Sequence, residues 1–290
     1  MPPVPHIIND KLAIKQCPDV VKGLGVFATR VLSKGLRLHA ELPYMIEQSR
    51  DEAIENAGEF YAGLSEYDRM LFNKLYAGIQ DIVPYRRVVQ IHTSESMELD
   101  RATNIIKLNA MEGLGAGCVL SFIASFINHS CVPNAWAEWN PNINAVTIHA
   151  LREIQADEEV TISYFQEMIY LSKAQRQQKL ACNSAESNGR RAAMSSIRHG
   201  LTARFGAGVS TVNADELYTS MESLRELESL IIAEGLHGLE LSSVLVEQAG
   251  ILGHLGDERA RRIKLSHAVQ ARNLCLGPGH PSSLNLANRL

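Results

Sequence analysis

Between Val119 and Asn140 the chain reads VLSFIASFINHSCVPNAWAEWN, an apolar run that ends abruptly in Asn128, His129, Ser130 and Cys131. A thiol two residues from an imidazole is the raw material of a thiolate–imidazole nucleophile. The same pair could be half of a zinc site, completed by ligands from distant segments. A third reading is a turn whose Asn128 and Asn134 side chains satisfy nearby backbone groups. Pro133 and the polar neighbours favour a turn over a regular strand, which weakens the nucleophile reading. A Cys/His hydrolase also needs an orienting partner and an oxyanion-hole motif, and neither is visible.

Two other stretches could contribute chemistry. KGLGVFA, Lys22 to Ala28, places glycines at one-residue spacing, where backbone can approach a ligand closely. It lacks the third glycine and the following helix of a dinucleotide-binding loop. ADEEVTISYF, Ala156 to Phe165, is a charged turn feeding a strand that ends at Tyr164. A phenol there is either a hydrogen-bonded core group or a catalytic polar tip, and its ordinary pKa is about 10.

The elements that must position these residues follow from periodicity. VKGLGVFATRVLSKGLRLHAELPYM predicts strand, turn, strand, with Ser33-Lys34-Gly35 as turn chemistry. From about Arg50 to Gln80 the spacing predicts a helix with Phe60, Leu64, Tyr67, Leu71 and Leu75 on a buried stripe. Ala145 to Ala150 and Glu159 to Tyr164 read as a pair of short alternating strands around an Ala156-Asp157-Glu158 turn. Residues 183–210, with NSAESNGRR and RFGAGVS, read as loop or linker around a short helix. Beyond them the chain is helical. Asn213 and Glu216 form a capping box ahead of a Leu217, Met221, Leu224, Leu227, Ile231 face. A second helix is expected over Leu239 to Leu255, and a third, capped by Asp257, over Glu258 to Leu276, ended by CLGPGHP. The basic run Arg259, Arg261, Arg262, Lys264 is expected to be a solvated face.

The bulk numbers bound the function. The chain has 290 residues, enough for one large domain or two unequal ones. A net charge of −4 gives no nucleic-acid footprint, and no apolar run is long enough to span a bilayer. The five cysteines, Cys17, Cys118, Cys131, Cys182 and Cys275, form no C-x-x-C pair. With no secretory signal at the N-terminus, they point to reduced thiols in a cytoplasmic or nuclear setting.

The order of the motifs is more telling than any one of them. A Gly-x-Gly strand, a helical insert, INHSCVPNA and finally ALREIQADEEVTISY resemble the SET-domain protein lysine methyltransferases, over roughly residues 17–180. LNAM, Leu108 to Met111, is similar to a further segment of that family, and the helical tail resembles that of the SET- and MYND-domain subgroup and its fungal relatives. The resemblance implies an α+β chain: a β-rich SET fold (a β-clip with a pseudoknot) over 17–180 with a helical insert at about 50–100. A degenerate or missing post-SET segment would follow at 181–212, then a helical, TPR-like region at 213–290. It implies S-adenosylmethionine as cofactor, held by Lys22, Gly23, Leu24, Asn128 and His129, with Tyr164 as the catalytic residue. The implied partner is a lysine-containing protein, with no nucleic acid or membrane. In zinc-containing relatives the cysteine of N-H-S-C joins a C-x-C-x-x-C segment after the domain. Here only Cys182 stands at that place, and the MYND module is missing from the insert. Zinc is therefore not expected at Cys131, which should be a free thiol in a turn. That departure also keeps a second reading open, a SET fold without methyltransferase activity that serves as a binding module or acts on another substrate.

Overall fold

The computed structural model describes residues 6–19, 22–77, 94–113, 117–164, 170–171, 187–205 and 213–290. In chain order, β1 (His6–Ile7), β2 (Leu12–Gln16), β3 (Leu24–Ala28), β4 (Arg37–Glu41) and β5 (Met45–Glu47) are followed by α1 (Arg50–Glu55), α2 (Ala57–Gly63), α3 (Glu66–Phe72) and α4 (Ser94–Asn109). Then come β6 (Met111–Gly113), β7 (Gly117–Leu120), the single turn α5 (Phe122–Ser125), β8 (Asn128–His129), β9 (Ala135–Asn140), β10 (Ala145–Ala150) and β11 (Glu159–Ile162). The remainder is helical: α6 (Ser187–Phe205), α7 (Ala214–Ala233), α8 (Leu239–His254), α9 (Glu258–Leu276) and α10 (Pro281–Ala287). The chain is thus α+β, with strands gathered in the first half and helices in the second.

The strands form small sheets ordered β1-β2-β3-β11-β8, β4-β10-β9 and β5-β7-β6. One apolar core lies among them and takes in the insert helices through Ala53, Leu71, Phe72, Ile105 and Ile106. β3 and β4 are the expected strand, turn, strand, with Gly35 at φ 79° in the turn, a conformation suited to glycine. They do not pair with each other. β3 lies between β2 and β11, and β4 lies along β10.

Four expectations need correction. The helix expected over Arg50 to Gln80 is three short helices. Ser49 and Ser65 each accept a backbone N–H and start a new helix, and Asn56 breaks the first from the second. Its stripe is only partly buried: Leu71 and Leu75 are interior, Phe60 and Leu64 are half-buried, and Tyr67 is 53% exposed. Residues 78–80 lie outside the described residues. The strands at Ala145 and Glu159 are not partners either. β10 is buried along its whole length between β4 and β9, so it cannot alternate. β11 pairs with β3 and β8. The presumed linker carries the 19-residue helix α6, whose Arg191, Met194 and Leu201 are buried beneath a polar sequence.

The helical region matches expectation more closely. Asn213 and Glu216 make the reciprocal capping box, and Leu217, Met221, Leu224, Leu227 and Ile231 are all buried. Asp257 caps α9 by accepting from the Ala260 N–H. The basic run is largely solvated, with Arg261 and Arg262 paired to Glu258 and Lys264 to Glu228. The fourth correction is an addition: CLGPGHP ends α9 at Gly277 as expected, and its last residue begins a further helix, α10. His280 caps it and Pro281 opens it, so the Gly/Pro cluster both ends one helix and starts another. Among the described residues no helix is long and apolar enough to cross a membrane.

The helical region docks on the sheet β4-β10-β9 through a histidine seam. His149 on β10 is buried, and a methyl group added at Gly277 would sit 3.1 Å from its Nε2. His280 accepts the Ser282 N–H at Nδ1 and so donates from Nε2 to the Trp139 carbonyl at 3.1 Å. Burial, with help from the nearby Arg37 charge, pulls the His149 pKa down to about 4. Between that value and the ordinary 6.5 the unfolded chain binds the proton and the folded one does not. Stability is therefore full above pH ~6.5 and falls as the pH drops toward 4, by up to about 3 kcal/mol for this one group. The thermal midpoint should decline from pH 7 to 4.5, and His149→Gln should give a shallower acid slope in the same melts.

Candidate active site

The site is built where β8 meets β11. β8 is only two residues long, and it pairs in parallel with Thr161 opposite Asn128 and Ile162 opposite His129. So short a ladder needs help, and side chains provide it. Ser130 N–H donates to the Ile162 carbonyl at 2.9 Å. Asn134, buried at 2% exposure, donates to the Glu159 carbonyl and accepts from the Thr161 N–H, both at 2.8 Å. The turn reading of both asparagines is therefore correct: each satisfies backbone.

Asn128 is also the hub between three strands. Its Nδ2 donates to the Leu24 carbonyl of β3 at 3.1 Å and to Glu159 Oε1 of β11 at 2.8 Å, with Cys17 Sγ at 3.3 Å. Two oxygen acceptors on that side fix the amide's orientation. The Oδ1 on the other side makes no hydrogen bond among the described residues, and it is left as an open acceptor. Glu159 is held from its other oxygen by Lys22 Nζ at 3.2 Å.

The glycine motif serves this hub. Gly23 adopts φ 67°, and its carbonyl accepts from Cys17 N–H and Gln16 Nε2. The carbonyls of Gly23 and Leu24 are thus already engaged within the protein. Gly25, which the motif reading did not single out, has the tighter constraint. A methyl group there would lie 2.8 Å from Cys17 Sγ, 2.9 Å from Asn128 Nδ2 and 3.0 Å from Glu159 Oε1. Sequence reasoning also passed over Glu159 and Cys17. The available signal was the acidic pair Glu158-Glu159 at the start of a half-buried strand, where a carboxylate needs a partner.

His129 and Tyr164 face each other, ring centroids 5.3 Å apart. The Tyr164 N–H donates to His129 Nδ1 at 3.2 Å. Nδ1 is thereby the acceptor, so in the neutral ring the proton sits on Nε2, which points at Cys131 Sγ 3.4 Å away. Burial, then the positive charge of Arg191, brings the His129 pKa down to about 4, so the ring is neutral near pH 7. Tyr164 lies two residues beyond the end of β11. The residue is 46% exposed, but its hydroxyl turns inward and donates to the Ile127 carbonyl at 3.0 Å. Burial of that end, with the Glu159 charge, pushes the phenol up to about 12 and keeps it protonated.

The structure thus brings together Asn128, His129 and Tyr164, joins Lys22 to them through Glu159 and Leu24 through Asn128, and ties Gly23 to Cys17 and Gln16 instead. Cys131 is a half-buried free thiol in the turn, and Ser130 Oγ accepts the Val132 N–H to close that turn. Cys182, with residues 181–186 and 206–212 of the expected post-SET segment, lies outside the described residues; the rest of that segment is α6. Among the described residues no group of three His, Cys, Asp or Glu side chains is arranged to hold a metal ion.

Residues 23–165 match the SET domain family, and the chain therefore carries a SET domain over that span, with Lys22 one residue ahead of it. The histone-lysine N-methyltransferase set5 of Schizosaccharomyces pombe is 28% identical over 167 residues, 57% of this chain and 46% of that protein. The match thus spans less than half the length of this curated relative. Among solved structures, Rubisco LSMT bound to AdoMet aligns with 97% of this chain and 89% of its own at 12% identity and a TM-score of 0.40. The SET domain of LSMT bound to lysine and AdoHcy aligns with 98% and 87% at 12% identity and a TM-score of 0.39.

The hub generates a direct test. Gly25→Ala should push Asn128 off the Glu159 carboxylate and cost about 1–3 kcal/mol. Urea denaturation of the variant beside the native chain measures it, and an unchanged midpoint would show the three-way contact to be looser than described.

Proposed function

We propose that the chain is an S-adenosylmethionine-dependent methyltransferase acting on a lysine of a protein substrate. The observation that carries the reading is the meeting of Asn128, His129 and Tyr164 at the β8–β11 junction of a SET domain. The residues fit the cofactor. The open Oδ1 of Asn128 suits its ammonium group, and neutral His129, with its fixed tautomer, would lie beside its adenine part. Gly23, where an added methyl group would meet nothing within 4 Å, leaves room for close approach.

When bound, S-adenosylmethionine supplies an electrophilic methyl group on a sulfonium. The protein's task is orientation and dipoles more than acid–base catalysis. Tyr164, protonated across the working pH range, would present a fixed hydroxyl where the amine arrives. A substrate lysine must reach that point neutral, and a dry channel disfavours its charged form. Cys131, engaged through its sulfur with His129, serves as a thiol within the turn and not as a zinc ligand.

Two measurements test the reading. Isothermal titration should show S-adenosylmethionine binding to the native chain, and labelled cofactor should pass its methyl group to a protein in a histone or cell-extract mixture. No binding would favour a SET fold repurposed as a binding module. Tyr164→Phe should lower methyl transfer by about a hundredfold or more while affinity for S-adenosylmethionine stays within about threefold. Full activity of that variant would remove Tyr164 from the catalytic role.

A further inference from the structure

The turn that carries Asn128, His129 and Cys131 is held from behind by the helical region. Arg191 on α6 is fully buried at 0% exposure, and Glu234, the residue closing α7, is 4% exposed. Arg191 Nε meets Glu234 Oε1 at 2.7 Å, and Arg190 Nε meets the other carboxylate oxygen at 2.7 Å. The clamped guanidinium then extends Nη2 to the Cys131 carbonyl at 2.6 Å. The turn that follows α7 packs on the same stretch. A methyl group at Gly235 would touch Val132 Cγ1 at 3.2 Å, and one at Gly238 would lie 3.8 Å from the Trp136 ring. Cys131, Val132 and Trp136 are thus each met by the helical region, the first from α6 and the other two from the turn after α7.

A buried ion pair is a poor way to gain stability, because desolvation of both groups cancels most of the attraction. An apolar contact of the same volume would dock the two regions as well. What apolar packing cannot supply is a fixed direction: a planar donor aimed at one carbonyl. That carbonyl belongs to the residue whose sulfur faces His129 Nε2, and the next carbonyl-bound N–H upstream, Ser130, is tied to Ile162. Fixing Cys131 therefore fixes the imidazole between its two partners.

We propose that Arg191 and Glu234 are positioning residues for methyl transfer, holding the Asn128–Cys131 turn in its working shape, so that the helical region completes the site. This rests on the methyltransferase reading above. The test is built so that the two can fail separately. The double variant Arg191→Met/Glu234→Leu replaces the pair with apolar volume, and Glu234→Gln loosens the clamp with minimal change of shape. Each is followed by thermal melting, by NMR of the His129 imidazole, and by S-adenosylmethionine titration and turnover on the full chain.

The expected result is a folded variant in which the His129 resonances move and its titration midpoint rises in the double variant. Cofactor affinity and kcat/KM should fall together by about tenfold or more. If the native chain binds no S-adenosylmethionine, the methyltransferase reading fails, and the NMR signals alone decide whether the pair shapes the turn. A folded variant with native His129 signals and, where the native chain binds, native cofactor affinity and turnover would overturn the proposal and leave the pair a plain structural contact. Should the double variant not fold, Glu234→Gln decides by the same readouts: unchanged His129 signals and kcat/KM overturn it, and displaced signals with weakened binding support it.

Discussion

The parallel pairing of Asn128 and His129 with Thr161 and Ile162 is two residues long, yet the central sheet and the candidate site both converge on it. A ladder of that length has almost no stability of its own. It persists because the polar side chains around it are buried and would each cost about 1–3 kcal/mol if left unpaired. Asn134 completes the ladder on one side, and Asn128 ties it to β3 and Glu159 on the other. The apolar core beneath, from Ile127 to Val160 and Ile162, supplies the area buried, and the amides decide the register. Shifting β8 by one residue would turn Asn128 away from Leu24 and His129 away from Tyr164 together.

A second constraint acts from the far side. The helices do not form a separate body beside the sheets. Leu151, Cys275 and Leu276 form an apolar cluster that Trp136 and Leu239 pack against, and His149 and His280 sit in the same seam. The buried Arg191–Glu234 pair continues that seam to the back of the Cys131 turn. One strand pair, β9 and β10, therefore has the helical region on one side and the core of the SET domain on the other, which is why β10 is interior along its entire length.

How much of this was legible depended on the range of the interaction. Capped amphipathic helices announce themselves within a few residues, and Asn213, Glu216 and Asp257 were read correctly for that reason. The strand partners were not legible, because β3, β8 and β11 meet across separations of more than a hundred residues in part, with nothing local to mark it. The helix α6 was obscured by its polar composition, since its buried face includes an arginine whose partner, Glu234, lies 43 residues away. Asn128, His129 and Tyr164 were legible through the order of motifs. Their mutual contacts, the constraint at Gly25 and the carboxylate of Glu159 needed the three-dimensional arrangement.

The charge state of the site follows from the same burial. Desolvation moves His129 down and Tyr164 up, opposite directions with one consequence: both are neutral at ordinary pH. The nearby carboxylate, Glu159, is engaged by Asn128 and Lys22. Among the described residues, what faces the junction is then a set of oriented neutral dipoles with no uncompensated anion. For the chemistry proposed, this matters more than any single contact. A free carboxylate at the point of transfer would stabilise a lysine as its ammonium and remove the lone pair that must attack. Neutral, preoriented groups can accept a positive charge that arrives on one partner and departs on the other without holding it on either.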